Sequence, residues 1–478
     1  MNNQRLELVA DFYEYTMANG YFNKNMQDRI AYFDVFFRKV PDEGGYAIVA
    51  GLEQIINYIR NLSFDEEDIN YLRKQNKFSE EFLNYLENFR FTGDIWAIPE
   101  GTVVFPNEPL ITVKAPIIQA QLLETMLLLT TNHQSLIATK TSRIVKEAQG
   151  RPVMEFGARR AHGINAAVEG ARAAIIGGAV GTSCTLSAKE FNVPASGTMA
   201  HSWIQSFDSE YEAFKAYAEL YPDDCTFLID TYNTIESGLP NAIKVFNEVL
   251  KPKGYRPKAV RLDSGDLAYL SKKVRKILDE AGYEDCKICA TNSLDEYLIK
   301  SLIEQDAKID LFGVGENLIT AKSEPVFGGV YKLVALEKDK KIVPKIKVSE
   351  NTAKVTNPSF KKVYRFYDNE TKKAIADVIT LADEIIDERE YMIFDPQNPW
   401  KKKVLKDYSI RVLQEKIFEN GKLVYKNPNL KEIAKYSKKE LDSMWEEVKR
   451  IENPHKYYVD LSKKLWILKN NMLNNIYF

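Results

Sequence analysis

From about residue 150 the chain falls into one rhythm: short apolar, β-forming runs alternate with helical patterns, and each run ends in polar or glycine-rich residues. Arg151-PVMEF leads to GARRAHG and the helical NAAVEGARAAIIGG, then to TSCTL, and GTMAHSWIQSF precedes EYEAFKAYAEL. CTFLID leads into TYNTIESGLPNAIKVFNEVL, KAVRL into DSGD and its helix, KICAT into NSLDEYLIKSLIEQ, and IDLFGVG into a loop and PVFGGVYKL. Seven such βα units are readable. Repeats at roughly 20–35 residues restrict the chain to a parallel sheet with right-handed crossovers, most simply a barrel.

The expected class is therefore α/β, an irregular TIM-like (β/α) barrel spanning 131–336 with an α+β lobe beside it. Residues 1–130 open on a helical stretch, Arg5 to Gly20. The aromatic strand IAYFDVFF follows, and FTGDIWAIPEGTVVFPNEPLITVKAP alternates like antiparallel strands. Residues 337–478 are lysine-rich, show no motif by composition, and are expected to pack with the N-terminal domain; 478 residues exceed one ordinary core.

In such a barrel the active site is built at the carboxyl ends of the strands. The chemically distinctive residues fall there in turn: Glu155, Arg159, Ser183, His201, Asp230, Asp263, Asn292, Gly313 and Gly315. A barrel serving stability alone has less reason to place polar chemistry at strand after strand, so the pattern points to an enzyme.

Arg261 to Ala268, RLDSGDLA, is a strand end opening onto Asp263-Ser264-Gly265-Asp266 and a helix. A strand, tight turn and helix N-terminus suit a phosphorylated ligand. Gly265 permits close backbone approach, Ser264 can donate to phosphate, and Arg261 offers a forked cation for carboxylate or phosphate. The aspartates suit sugar hydroxyls or magnesium, and an N-cap with nothing bound is the plainer alternative. His201 lies among small residues in Gly197-Thr-Met-Ala-His-Ser, open to a ligand and usable as nucleophile or base, or else a satisfied core histidine. Phe156 beside Gly157 and Arg159 could stack on a planar substrate while Arg159 meets phosphate, or be a core ring with surface arginines. Phe312-Gly-Val-Gly315 is a partial phosphate cradle. Asp11-Phe-Tyr13 reads equally as core.

A net charge of −2 gives no support for nucleic-acid binding. The four cysteines have no paired metal spacing and read as reduced, partly buried thiols. The longest apolar stretch, Leu122 to Leu129, is interrupted by Glu124, and no signal-peptide series is evident, so a cytoplasmic protein without membrane partners is expected.

Taken together, Asp11-FYEYTMANGYF, Glu155-FGARRAHG, Gly197-TMAHSWIQSF, Ile229-DTYNTIESGLPNAI, Arg261-LDSGDLAYLSKK, Thr291-NSLDEYLI, Phe312-GVG, Phe327-GGVYKLV and Lys347-VSENTAKVTNPSFKKVYR resemble the nicotinate phosphoribosyltransferases, type II phosphoribosyltransferases of NAD salvage. The resemblance runs in order from residue 11 to about 365. It implies attack of the nicotinate ring nitrogen on C1′ of phosphoribosyl pyrophosphate. ATP hydrolysis would be coupled through a phosphohistidine at His201, with Mg2+ present. It further implies that Tyr13 and Phe156 sandwich the pyridine ring, with Tyr13 reaching in from a second subunit of a homodimer with shared sites. Thr198 and Arg261 would hold the nicotinate end, Arg261 its carboxylate, and Arg159 the phosphoribosyl or pyrophosphate groups. Asp230, Asp263 and Asp266 would meet ribose hydroxyls and magnesium, the metal falling to Asp263 and Asp266. Ser264 and Gly265 bound the same pocket, and Gly313 and Gly315 receive the 5′-phosphate. Relatives often carry a small hydroxyl residue where this chain has Glu316, leaving Thr320 as a replacement to be examined. The competing readings are a nicotinamide phosphoribosyltransferase and a catalytically silent nucleotide-binding regulator.

Overall fold

The computed structural model describes residues 6–351, 354–386 and 389–475. The Lys347–Arg365 motif is therefore seen except for Thr352 and Ala353, which lie outside the described residues. The chain divides into two compact units, residues 137–325 and residues 1–136 with 326–478. The expected boundaries of 130/131 and 336/337 differ because one helix, Glu124–Glu147, runs across the first. The strand Gly329–Lys338 runs across the second and pairs with Ile30–Phe37 in the sheet of the unit formed by 1–136 and 326–478.

The unit formed by 137–325 holds six parallel strands in the order Gly181–Thr182, Val153–Glu155, Leu311–Val314, Lys287–Ala290, Ala259–Leu262, Thr226–Leu228. Apart from the two-residue Gly181–Thr182 at the edge, each is a short, mainly apolar run, as buried parallel strands require, and all six are followed by helix. The sheet curls as a half-barrel that does not close on itself among the described residues. The α/β class and barrel-like curl hold, with six strands in place of seven units. The segment expected to open the unit at Gly197 has no strand; it follows the bridge Thr182–Ala195 as irregular chain and enters a helix at His201–Gln205. Gly and Thr-Met lack the apolar run a buried strand needs. Stacked rings of Phe214 and Phe227, 4.5 Å apart, anchor the outer helix Glu210–Leu220 on the sheet.

The other unit is built on a seven-stranded antiparallel sheet in which Asp94–Ala97 pairs with Glu415–Glu419, so distant parts of the chain share one layer. A four-stranded sheet carries the buried Arg365, whose guanidinium is bound by Asp377 and Glu440. The helix Phe12–Asn23 starts at Asp11 with a capping box closed by Glu14. Burial pushes the Glu14 carboxyl up to about 7, against the pull of Thr125, whose hydroxyl and N–H both donate to it. A raised carboxyl means the native state holds more protons than the unfolded chain between about 4.5 and about 7. Its contribution therefore weakens stability as pH rises through that window. Glu14→Gln keeps the acceptor oxygen without the charge, and is expected to flatten the fall in the urea midpoint between pH 5 and 8; an unchanged slope would show that Glu14 does not titrate there.

Candidate functional site

The carboxyl ends of the parallel strands bring together residues far apart in sequence. Arg261 is the second-last residue of its strand, and its guanidinium reaches outward into a ring of partners. Nε donates to Thr291 Oγ1 at 3.0 Å, Nη1 to Thr198 Oγ1 at 3.0 Å, and Nη2 to Asp263 Oδ1 at 2.9 Å. Three of the five guanidinium N–H groups are thus engaged and two remain for a ligand. The Thr291 hydroxyl donates to the same Asp263 oxygen.

Burial works to raise the Asp263 carboxyl, but the Thr291 hydrogen bond, Arg261 and His201 together hold it below the usual carboxylate range. It is therefore a fixed anion at neutral pH. His201 opens its short helix with Nε2 3.6 Å from Asp263 Oδ2 and Nδ1 3.2 Å from the Thr231 hydroxyl. The ring is thus oriented from both sides and remains part-exposed. Asp230 Oδ2 accepts from the Asp263 N–H and from Ser264 Oγ, both at 2.7 Å, while its buried Oδ1 has no hydrogen-bond partner. Gly265 takes φ +78°, a left-handed turn that lets the chain pass from strand to helix. Asp266 caps that helix, Oδ1 accepting from the Tyr269 N–H at 3.0 Å. The plain capping role is thus real for Asp266, an exposed residue.

The strand Val153–Glu155 lies beside Leu311–Val314, which sets Phe156 next to Gly313. A Cβ at Gly313 would fall 2.5 Å from Phe156 Cδ2 and 2.8 Å from Thr291 Cγ2, so the ring lies flush on the bare backbone. The Glu155 carboxylate is buried and raised by burial; it accepts from the Gly157 N–H and, at 2.6 Å, from Thr182 Oγ1, shaping the turn that carries Phe156 and Arg159. Arg159 is exposed on that turn. Gly315 precedes a four-residue helical turn whose Thr320 hydroxyl donates back to the Glu316 carbonyl at 2.7 Å. The Glu316 carboxylate is drawn to Lys322 Nζ at 2.8 Å and Arg160 Nε at 3.7 Å. Tyr13 belongs to the other unit, on the first turn of its helix, half-exposed.

Thr198, His201, Asp230, Arg261, Asp263 and Ser264 thus form one connected cluster. Phe156 and Gly313 form a second contact joined to it through Thr291. Thr291 and Thr231 were not singled out from the sequence, although each directly follows a strand-end run, Lys287-ICA before Thr291 and Phe227-LI-Asp230 before Thr231. A small hydroxyl at a strand's carboxyl end was the available signal.

Among the described residues no group of three or more His, Cys, Asp and Glu is placed to hold a metal by protein ligands alone. Asp263 and Asp266 bring two carboxylates to one turn, fewer ligands than a hard divalent cation needs from protein alone. Burial pushes the thiols of Cys225, Cys286 and Cys289 up to about 12, unsuited to metal or redox work. No helix among the described residues is long and apolar enough to cross a membrane.

Three family descriptions match the chain: the nicotinate phosphoribosyltransferase (NAPRTase) N-terminal domain over residues 8–132, the NAPRTase family over 152–379, and the NAPRTase C-terminal domain over 360–469. Nicotinate phosphoribosyltransferase of Bacillus subtilis is 45% identical over 472 residues, covering 98% of this chain and 96% of that protein. The crystal structure of human nicotinic acid phosphoribosyltransferase superposes with a TM-score of 0.87 at 27% identity, covering 97% of this chain and all of that one. A nicotinate-nucleotide pyrophosphorylase from Pyrococcus furiosus shares the fold, with a TM-score of 0.70 at 24% identity over 93% of this chain and 97% of its own.

Proposed function

Since this chain belongs to the nicotinate phosphoribosyltransferase family, it joins nicotinate to phosphoribosyl pyrophosphate with release of pyrophosphate, and we propose that the Arg261–Asp263–His201 cluster carries that reaction and its coupling to ATP. The observation that supports this placement most is Arg261. It is pre-aimed by Thr198, Thr291 and Asp263, with two N–H groups left over, enough for a bidentate carboxylate.

In this reading the nicotinate carboxylate meets Arg261 and the Thr198 hydroxyl, and the ring lies on Phe156, with Tyr13 of the partner subunit closing the other face in a homodimer. The ring nitrogen then attacks C1′ as the pyrophosphate leaves, through a state with positive charge on the ribose ring. The fixed anion at Asp263, held ionised by Thr291 and Arg261, is the group suited to stabilise that charge, and positioning supplies the rest. Asp230 and Ser264 suit the ribose hydroxyls, Arg159 the phosphates, and the backbone at Gly313 and Gly315 the 5′-phosphate. Asp263 and Asp266 are the carboxylates that would hold a magnesium ion, which would supply positive charge towards the departing pyrophosphate. Thr320 and Glu316 stay outside the phosphate contacts, since the hydroxyl of one and the carboxylate of the other already have partners.

ATP enters through His201. With Nδ1 facing Thr231, Nε2 is the nitrogen available to accept the γ-phosphoryl group, releasing ADP; water later cleaves the phosphohistidine to inorganic phosphate. A phosphoryl group there would sit against Asp263, so its arrival and loss alter the charge beside the reacting sugar.

The deciding assay follows product from phosphoribosyl pyrophosphate and magnesium with nicotinate or nicotinamide, each with and without ATP. Nicotinate mononucleotide formed faster or further with ATP is the expected result. Turnover of nicotinamide alone would reassign the pocket, and no turnover with either would leave a nucleotide-binding protein without catalysis. A second test concerns the ring platform. Gly313→Ala drives a methyl group into Phe156 and Thr291, and is expected to raise the nicotinate KM about tenfold or more, since misplacement by about 1 Å can cost about 100-fold. An unchanged KM would remove Phe156 from the nicotinate pocket.

A further inference from the structure

Two ties join the segment after the Lys287–Ala290 strand to the segment after the Leu311–Val314 strand. In the first, Asn317 Nδ2 donates to the Ser293 carbonyl at 2.9 Å and the Leu294 carbonyl at 3.2 Å. In the second, the buried Lys140 Nζ donates to Glu296 Oε1 at 2.9 Å and to Ser323 Oγ at 2.7 Å. Arg143 Nε lies 3.1 Å from the same Glu296 oxygen, so a fully buried carboxylate is held by two cations at the start of the Glu296–Glu304 helix.

At the first tie the backbone is strained. Asn292 takes φ +83° and Ser293 φ +50°, two successive residues in the left-handed region, neither of them glycine. Asparagine tolerates that region, whereas serine does so less readily, and such a pair persists only where surrounding contacts hold it. The residue immediately before the pair is Thr291, whose hydroxyl accepts from Arg261 Nε and donates to Asp263. Relaxation of the turn would shift Thr291 and, through it, the guanidinium and the carboxylate that it links.

We propose that Asn317 is a positioning residue for the transfer reaction: with the Lys140–Glu296 pair as its anchor, it clamps the strained Asn292–Ser293 turn so that Thr291 keeps Arg261 and Asp263 aligned. This rests on the placement of the active site given above. Asn317 touches neither nucleophile nor leaving group in this account; it acts through Thr291. The side chain is part-exposed and its partners are backbone carbonyls, so its loss is compatible with folding.

The test uses the full chain and compares Asn317→Ala, Ser293→Gly, the double variant, and Arg261→Ala. Asn317→Ala is expected to lower kcat/KM for nicotinate about tenfold, on the scale of a sub-ångström misalignment of catalytic groups. Ser293→Gly removes the conformational penalty at φ +50°, so the double variant is expected to regain most of that loss. A side chain serving stability alone would lower the melting temperature without this kinetic rescue. Full activity of Asn317→Ala alongside an impaired Arg261→Ala overturns the positioning role, as does a loss that Ser293→Gly fails to restore. Full activity of Arg261→Ala instead overturns the placement of the site itself.

Discussion

His201→Ala is expected to abolish the stimulation of nicotinate mononucleotide synthesis by ATP while leaving slow, ATP-independent transfer. The imidazole has no role in bond-making at C1′ in this geometry. It stands 3.6 Å from Asp263, with its other nitrogen facing Thr231, so removing it deletes a phosphate acceptor and leaves Arg261, Thr291 and Asp263 in contact with one another. The informative readout is the ratio of ADP to nicotinate mononucleotide formed, together with the rate at saturating and zero ATP. ADP release should fall to background in the variant. An acid-stable assay for phosphoryl groups is unsuitable, because a phosphohistidine survives alkali rather than acid; labelling from γ-labelled ATP should therefore be read under alkaline conditions. Retained full stimulation in His201→Ala would move the phosphoryl acceptor elsewhere and leave His201 as a neighbour of Asp263 alone.

Arg261→Ala is expected to have the larger effect on selectivity. Truncating one partner of a part-buried, hydrogen-bonded charge pair typically costs about 2–5 kcal/mol. That corresponds to a fall in kcat/KM for nicotinate of roughly 30-fold to several thousand-fold. Nicotinamide lacks the carboxylate and should lose less, so the preference for acid over amide should narrow by about 100-fold or more. Part of the loss will come from Asp263 and Thr198, which also lose a donor. Arg261→Lys separates these contributions: it keeps a positive charge but not the planar fork, and should fall between wild type and Arg261→Ala. If the acid-to-amide ratio is unchanged in both variants, the carboxylate is recognised by another group.

The fold was legible where hydrophobic patterning is local. The runs PVMEF, CTFLID, KAVRL, KICAT and IDLFGVG each became a parallel strand, because a short apolar run between polar turns has few other ways to be buried. The Gly197 segment misled, since a helical pattern after it suggested a unit that lacks its strand. In the site, Arg261, Asp263 and His201 were legible as chemistry at strand ends. Capping at the Asp263–Asp266 turn stood as an open alternative; the back-bond of Thr320 and the contribution of Thr291 were not legible, because such hydrogen bonds depend on which side chain or carbonyl arrives beside them. Glu316 looked out of place beside a phosphate turn; Lys322 and Arg160, six residues on and far upstream, show where its charge goes.

The sequence by itself determined the alternation of strand and helix, the position of polar residues at strand ends, and the family, since these are carried by residues close together in the chain. Only the tertiary structure decided the strand order, which sets Val153–Glu155 beside Leu311–Val314 and so lays Phe156 on Gly313. It also decided that Asp94–Ala97 pairs with Glu415–Glu419, and that Arg365, Asp377 and Glu440 share one buried charge network in a stretch whose composition showed no motif. The physical reason is the same in each case. Pairing between distant strands and the burial of opposite charges depend on complementarity across space, and no periodicity within a single segment encodes it.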